Sequence, residues 1–478
     1  MQCLLVLFLT MLSADVVEQP EADSPFPNIV IVFVDDMGWG DLPSQGATGW
    51  EMPNLTRMER EGTRFTDFTV AQPVCSASRA ALLTGCYPNR LGIHGALGPW
   101  SEVGLHANEV TLAEMAKTRG YATGIFGKWH LGHHDEFLPT RHGFDEYLGI
   151  PYSNDMWPGH PERPKQWPPL PLIDGVETVE QISTLEGQDP LTERFTQRAV
   201  SFIESHQDGP FLLYLAHPQP HVPLACAERW KGSSAQGMYG DVMQEIDWSV
   251  GQLLDTLDRC NLSDRTIVMF MSDNGPWLSY GDHAGTSGGW REGKGTTFEG
   301  GIRVPCLVRW PGHVPSGAVN ASPWMTIDVF PTLARAMNVD VSHEVDGVDA
   351  TDVLVSKSMG LPDDHVVFYY YRTNELQAVR SGQWKLHLPH GYRSLEGRPG
   401  GTGGAPTRYS WNLPQPLALY DLLSDPTERK DVQSDHPEVV ARLMAHVERA
   451  RSDLGDTLVD RTGSGQRIPG RVEVNPTP

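Results

Sequence analysis

The sequence predicts an α/β protein with a large sheet between helices, followed by a smaller antiparallel sheet with one helix. Three observations carry this. Continuous apolar, β-branched runs recur along the first three quarters of the chain, as in strands covered on both faces. Stretches with helical spacing alternate with them. After about residue 362 the pattern changes to short strands with close connections.

In chain order, residues 28–34 (NIVIVFV) give the first buried strand, which stops at Asp35, Asp36 and Gly38. Similar runs follow at 122–126, 211–216, 266–271 and 304–310. A helix is predicted from about Ser76 to Gly85, and another over 109–119, with Gly120 placed as its C-terminal stop. Residues 239–259 carry Val242, Ile246, Val250, Leu253, Leu254 and Leu257 at helical spacing. The second region reads as strands at 366–371, 376–379, 384–388 and 417–421, then a helix at 438–451. Residues 396–416 are rich in glycine and proline and are expected to form a surface loop. The domain expectation is therefore a first region at 27–362, a second at 363–461 and a mobile tail at 462–478.

Composition narrows the function classes. The chain has 478 residues, with 37 Lys+Arg against 60 Asp+Glu and a net charge of −23. No basic run appears, so nucleic-acid binding is not expected. An acidic protein repels anionic substrates at long range, so any anion site must be local and built from a few cations. Residues 4–12 (LLVLFLTML) are too short to cross a bilayer, a task for about 20 residues. They suit the core of an export signal over residues 1–14, although no basic residue flanks them. The expectation is an exported protein without a transmembrane anchor. The six cysteines, Cys3, Cys75, Cys86, Cys226, Cys260 and Cys306, form no CxxC pair, and spacing does not fix a disulfide pairing. Asn-x-Ser/Thr sequons stand at Asn54, Asn261 and Asn320.

The residues with chemistry sit just after predicted strands, where open α/β sheets bind ligands. Asp35-Asp36 and Asp273-Asn274 together offer an all-oxygen shell, which selects Ca²⁺ or Mg²⁺ over zinc. Neighbouring residues of a strand point to opposite faces, so Asp35 and Asp36 meet one ion only if the chain turns there, a turn that Gly38 is expected to allow. Lys128 and His130, in GKWHLG, pair a cation with an imidazole, a combination suited to oxyanion binding and proton movement. His217 and His221 lie in HPQPHVP, where prolines enforce a non-helical path. Lys294 sits between glycines in GKGTT, which is not a nucleotide-binding P-loop. Cys75 begins a predicted helix, at the end of the dipole that favours anions, with Arg79 one turn on.

The Cys75-Ser76-Ala77-Ser78-Arg79 segment resembles the type I sulfatase signature, Cys-x-Ser-x-Arg. ALLTG, GKWHLG, GKGTTFEGG and the opening NIVIVFVDDMGWGDL are similar to the same family, in the same order. Within it, the likeness is to arylsulfatases and N-acetylgalactosamine-6-sulfatases. The resemblance implies an alkaline-phosphatase-like mixed sheet with the smaller C-terminal domain. It further implies that Cys75 is oxidised by a formylglycine-generating enzyme to formylglycine, whose hydrate attacks a sulfate ester. By the same likeness Asp35, Asp36, Asp273 and Asn274 hold calcium, with magnesium as the alternative. Arg79 steadies the modified residue, Lys128 and Lys294 bind sulfate oxygens, and Ser153 adds a hydrogen bond. His130 takes a proton, and His221 faces the leaving oxygen. The substrate implied is an aryl or carbohydrate sulfate ester. Phosphonate or phosphodiester hydrolysis is the alternative enzyme reading, and carbohydrate binding the non-enzymatic one. Trp157, Trp167 and Trp411 are candidates for stacking on a sugar or aryl ring. Two positions depart from the common pattern: Ala77 stands where proline is commoner, and Cys86 where several relatives carry arginine, which is expected to alter substrate contacts.

Overall fold

The structure, a computed structural model, describes residues 26–356 and 365–472. Residues 1–14, read as an export signal, lie outside the described residues. A ten-stranded mixed sheet runs, from edge to edge, Ala318–Asn320, Thr63–Phe65, Cys306–Arg309, Thr266–Ser272, Asn28–Val34, Phe211–Ala216, Ala122–Lys128, Glu146–Ile150, Leu170–Asp174 and Glu177–Ile182. The five strands from Thr266–Ser272 to Glu146–Ile150 are mutually parallel. Their carboxyl ends therefore lie along one rim of the sheet.

The apolar runs are continuous because both faces are covered. In Asn28–Val34 all seven residues are buried. Ile29, Ile31 and Phe33 enter one core cluster, and Val30, Val32 and Val34 enter the other. On the first face lie the helices Cys75–Thr84, Leu112–Lys117 and Val329–Ala336, through Leu82, Leu112 and Phe330. On the second lie Leu191–Ser205 and Gly237–Arg259, through Phe195, Phe202, Ile246 and Leu253. Each such fully buried side chain contributes about 1.5–3 kcal/mol of transfer free energy.

Several boundaries move for local reasons. The helix expected over 109–119 spans Leu112–Lys117, because Thr111 caps it: its hydroxyl accepts from Glu114 N–H, and the Glu114 carboxylate accepts from Thr111 N–H. The strand expected at 304–310 shortens to Cys306–Arg309 and pairs antiparallel with Thr266–Ser272. The helix expected from Ser76 starts one residue earlier, at Cys75, after extended Val74.

The smaller sheet is a meander of Val366–Tyr371, Glu375–Ser381, Trp384–His387 and Ala418–Asp421, antiparallel throughout. Helix Pro437–Asp453 covers it with Val439, Leu443, Val447 and Ala450. These residues belong to the same apolar cluster as one face of the large sheet. Buried charges also cross between the two: Arg380 forks onto Asp67 at 2.7 and 2.5 Å, and Lys385 pairs with Glu299 at 2.9 Å.

Two expectations are corrected. Residues 396–416 are not wholly loop, since Ser410–Gln415 pairs antiparallel with His390–Ser394. A strand exists only through its partner, which lies outside the glycine-rich window that suggested a loop. The tail from residue 462 does not hang free as far as Val472. Gly470–Arg471 pairs with Val103–Gly104, and Arg467 forms an ion pair with Glu109 at 2.7 Å. Such polar ties leave no hydrophobic signature in the sequence. Among the described residues, no helix is long and apolar enough to cross a membrane, and there is no disulfide.

Candidate active site

The rim of the parallel strands gathers the strand-end residues singled out above. Asp35 and Asp36 follow Val34, Asp273 and Asn274 follow Ser272, and Lys128 ends its own strand. Ser153 follows Ile150 by three residues, and His221 follows Ala216 by five. The strand ends are cross-tied, with Asp35 N–H donating to Gln219 O at 3.1 Å and Asp273 N–H to Val34 O at 3.0 Å. The turn that lets both aspartates serve one centre lies at Asp36 itself, whose φ is 64°. That left-handed conformation is uncommon outside glycine and is concentrated at functional sites. Gly38 serves another need: a Cβ there would meet Thr286 O at 2.2 Å.

Asp35 and Asp36 consequently face different partners of one cluster. Asp35 Oδ2 pairs with Lys128 Nζ, and with Arg79 Nη2 at 3.3 Å. Asp36 Oδ1 receives Lys294 Nζ at 2.5 Å and Asn274 Nδ2 at 2.7 Å. Arg79, fully buried, also meets Asp273 Oδ2 at 2.8 Å and donates from Nη1 to Lys128 O at 3.1 Å. Lys128 Nζ donates to Ser153 Oγ at 3.0 Å. The Cys75 thiol lies within 4.8 Å of one carboxylate oxygen from each of Asp35 and Asp273. All eleven residues selected from the sequence are buried. The contacts link all but His130 and Cys75 directly, and those two share the cluster's field.

Burial and charge set the protonation states. Burial pushes the Asp35 carboxyl up, but Lys128, His221, Arg79 and Lys294 bring it well below the ordinary carboxylate range. Burial and then Asp35 push Asp273 up to about 7, against Arg79 and Lys128. Burial pushes the Cys75 thiol up to about 11, outweighing Lys128 and Lys294. An unmodified Cys75 is therefore a neutral thiol at pH 7 and a poor nucleophile.

The histidines have assigned faces. His130 Nε2 lies 2.8 Å from Leu97 O. A carbonyl only accepts, so Nε2 carries the hydrogen and Nδ1 is bare, buried and unpartnered. Burial, Lys128 and Arg79 hold His130 well below its ordinary pKa, so it is neutral and able to take a proton. His221 has the opposite tautomer. Nδ1 meets Val222 O at 2.5 Å, leaving Nε2 toward the cluster, 3.6 Å from Asp36 Oδ2. Burial and Lys294 lower its pKa, while Asp36 opposes them. His217 is elsewhere, hydrogen-bonded to Ser249 Oγ at 2.9 Å.

Asp35 Oδ1, Asp36 Oδ2 and Asn274 Oδ1 are buried acceptors without a hydrogen-bond partner. Each such orphan costs about 1–3 kcal/mol unless something fills its lone pairs. Three carboxylates and an amide oxygen in one dry cluster suit a hard divalent cation. The cluster otherwise balances three carboxylates against Arg79, Lys128 and Lys294, so such an ion would leave it positive and able to receive an anion.

Three contributors escaped sequence reasoning. Asn154 Nδ2 donates to His221 O and Pro223 O at 3.3 and 3.2 Å, clamping the histidine loop. Its signal was its position at a strand end beside Ser153. Trp277 lies with its ring centroid 5.4 Å from that of His221 and 4.7 Å from Lys294 Nζ, three residues past Asn274. The carbonyl of Leu97 had no signal. Of the tryptophans proposed for stacking, Trp157 is buried and Trp411 is exposed. Cys86 does not reach this cluster: its thiol faces Thr84 O, Glu344 O and Arg467.

The sulfatase family model matches residues 27–339, and the model for the C-terminal region of aryl-sulfatase matches residues 363–468. Arylsulfatase A of Bos taurus is 37% identical over 451 residues, covering 90% of this chain and 87% of its own. N-acetylgalactosamine-6-sulfatase of Mus musculus is 40% identical over 405 residues, covering 81% and 75%. The crystal structure of PsFucS1 sulfatase from Pseudoalteromonas sp. superposes with a TM-score of 0.79 at 26% identity, covering 89% of this chain and 91% of that one. The fold is the alkaline-phosphatase-like fold of these sulfatases, and the chain belongs to the sulfatase family, as a hydrolase of sulfuric esters.

Proposed function

We propose that this sulfatase uses formylglycine made from Cys75, with bound calcium, to hydrolyse aryl or carbohydrate sulfate esters. One observation carries the reading: a buried thiol sits in one cluster with three carboxylates, three cations and three unpartnered oxygens. On this reading residues 27–362 carry the chemistry, and residues 363–461 support them. Cys75 is 2% exposed in the fold, so its conversion by a formylglycine-generating enzyme precedes final packing, on the way to export.

Calcium held by Asp35, Asp36, Asp273 and Asn274 would supply charge to polarise a sulfate oxygen. Formylglycine at residue 75, once hydrated, would supply a hydroxyl nucleophile and a second hydroxyl through which sulfate can leave. The remaining roles belong to this chain's side chains. Arg79 orients residue 75 from one turn along the helix. Lys128 and Lys294 bind sulfate oxygens and offset repulsion between anions, and Ser153 fixes the Lys128 ammonium. His130 Nδ1, bare and neutral, receives the proton of the second hydroxyl. His221 Nε2 faces the departing oxygen.

Peptide mass spectrometry of active protein should show exchange of H₂S for oxygen at residue 75. Cys75→Ser should bind a sulfate ester without turning it over. Full activity from protein with an intact thiol would overturn the proposal. A panel of sulfate and phosphate esters assigns the preferred class, and higher kcat/KM on phosphate esters would also count against it.

A further inference from the structure

Lys294 is held from three directions. Its own N–H donates to Pro276 O at 2.9 Å, in the chain that has just left Asn274. The next N–H, of Gly295, donates to Pro73 O at 2.9 Å, two residues before Cys75. The third tie comes from the hairpin attached to the smaller sheet. Arg393, buried at 9% exposure, donates from Nε at 3.1 Å and from Nη2 at 2.5 Å to the carbonyl oxygen of Lys294. The approach depends on Gly295, whose φ is +76°, because a Cβ there would lie 2.6 Å from Arg393 Nη2. Its guanidinium is itself walled by rings, 4.5 Å from the centre of Tyr409, 5.7 Å from Trp411 and 5.9 Å from Trp277. Among the described residues, Arg393 makes no ion pair. Its hydrogen bonds are thus committed to one backbone oxygen.

We infer that Arg393 is a positioning residue for Lys294, fixing the backbone from which that ammonium reaches Asp36 and the sulfate group. The inference rests on the sulfate-binding role proposed for Lys294. A lysine is a point charge on a flexible four-carbon stem, so its placement is only as good as that of its backbone. A misplacement of about 1 Å at a reacting centre can cost roughly 10²-fold. The carbonyl of Lys294 points at a different sheet from the one that carries the strand-end residues. This gives the second region a direct part in the site.

The test is a double-mutant cycle with Arg393→Met and Lys294→Ala, read as kcat/KM on nitrophenyl sulfate and on a sugar sulfate. Arg393→Met keeps an unbranched apolar stem but loses the guanidinium and with it both donors. It should cost about 10–100-fold on both substrates alike, with unchanged formylglycine content by mass spectrometry. On the Lys294→Ala background it should cost nothing further, a non-additivity that a general loss of structure would not produce. Arg393→Lys, with a single donor group, should recover part of the loss, and it carries the same cycle if Arg393→Met does not fold. Multiplicative losses on a costly Lys294→Ala background overturn this inference alone. A loss confined to the sugar sulfate also overturns it, because Arg393 would then be meeting the leaving group. A silent Lys294→Ala overturns the sulfate-binding role of Lys294, and the inference with it.

Discussion

His221→Ala should cut turnover of a sugar sulfate far more than turnover of nitrophenyl sulfate. A nitrophenolate departs as a stable anion, whereas a sugar alkoxide needs a proton. The structure gives His221 one nitrogen for that task. Nδ1–H is committed to Val222 O at 2.5 Å, and Nε2, which faces the cluster 3.6 Å from Asp36 Oδ2, has a proton to give only in the imidazolium form, which Asp36 favours against burial and Lys294. The loop is clamped independently of the imidazole, by Asn154 on the backbone oxygens of His221 and Pro223. Alanine should therefore remove the proton donor without releasing the loop. General acid catalysis is typically worth about 10²–10⁴-fold, or about 2.7–5.4 kcal/mol of barrier. On nitrophenyl sulfate only the contact with the ester is lost, on the order of tenfold. The ratio of the two kcat values should thus shift by about 10–10³ between wild type and variant. The assay is sulfate release from both esters at one pH, with metal and formylglycine content matched. Equal losses on both substrates would refute the acid role and leave His221 as a sulfate-binding residue.

Other expectations follow from the same geometry. His130→Ala should release alcohol in a burst of about one equivalent per enzyme, on either ester, and then stall before sulfate release; steady turnover without a burst would remove its role as proton acceptor. Calcium should raise the Tm of metal-stripped protein, by about 2.7 kcal/mol in stability at 100-fold excess over Kd, and Asp273→Ala should abolish that rise. A calcium-independent Tm would dissolve the assignment of the four oxygen ligands. Glu245 in helix Gly237–Arg259 is pushed by burial from an ordinary 4.5 up to about 8. The folded chain therefore keeps a proton that the unfolded chain releases, and stability falls as pH rises from about 4.5 to 8. Glu245→Gln should flatten that slope, worth at most about 5 kcal/mol, in Tm measured from pH 5 to 9. Arg380→Met leaves Asp67 buried with only Arg303 beside it and should cost about 3–5 kcal/mol in a denaturant titration. A loss under 1 kcal/mol would show that the buried pair is not what joins the two sheets.

The sequence by itself determined whatever is written in local periodicity and strand-end chemistry. A seven-residue apolar run such as Asn28–Val34 needs cover on both faces, so it lies inside a parallel sheet between helices. The end of such a strand is where a polar residue can stand, so Asp35, Asp36, Lys128, Asp273 and Asn274 were legible as one rim. Tertiary structure decided how these groups meet. The left-handed turn fell at Asp36 rather than at Gly38, and this sends the two aspartates to different cations. The tautomers of His130 and His221 were set by carbonyls, Leu97 O and Val222 O, and a carbonyl has no residue code. Arg393 reaches Lys294 across 99 positions of sequence, from a hairpin whose composition resembles a loop. The tail from residue 462 is bound by ion pairing and two-residue strand pairing, neither of which leaves a hydrophobic pattern. Periodicity reports only which face of an element is buried. The partner on that face is fixed by packing many distant segments at once, so it appears only in the folded chain.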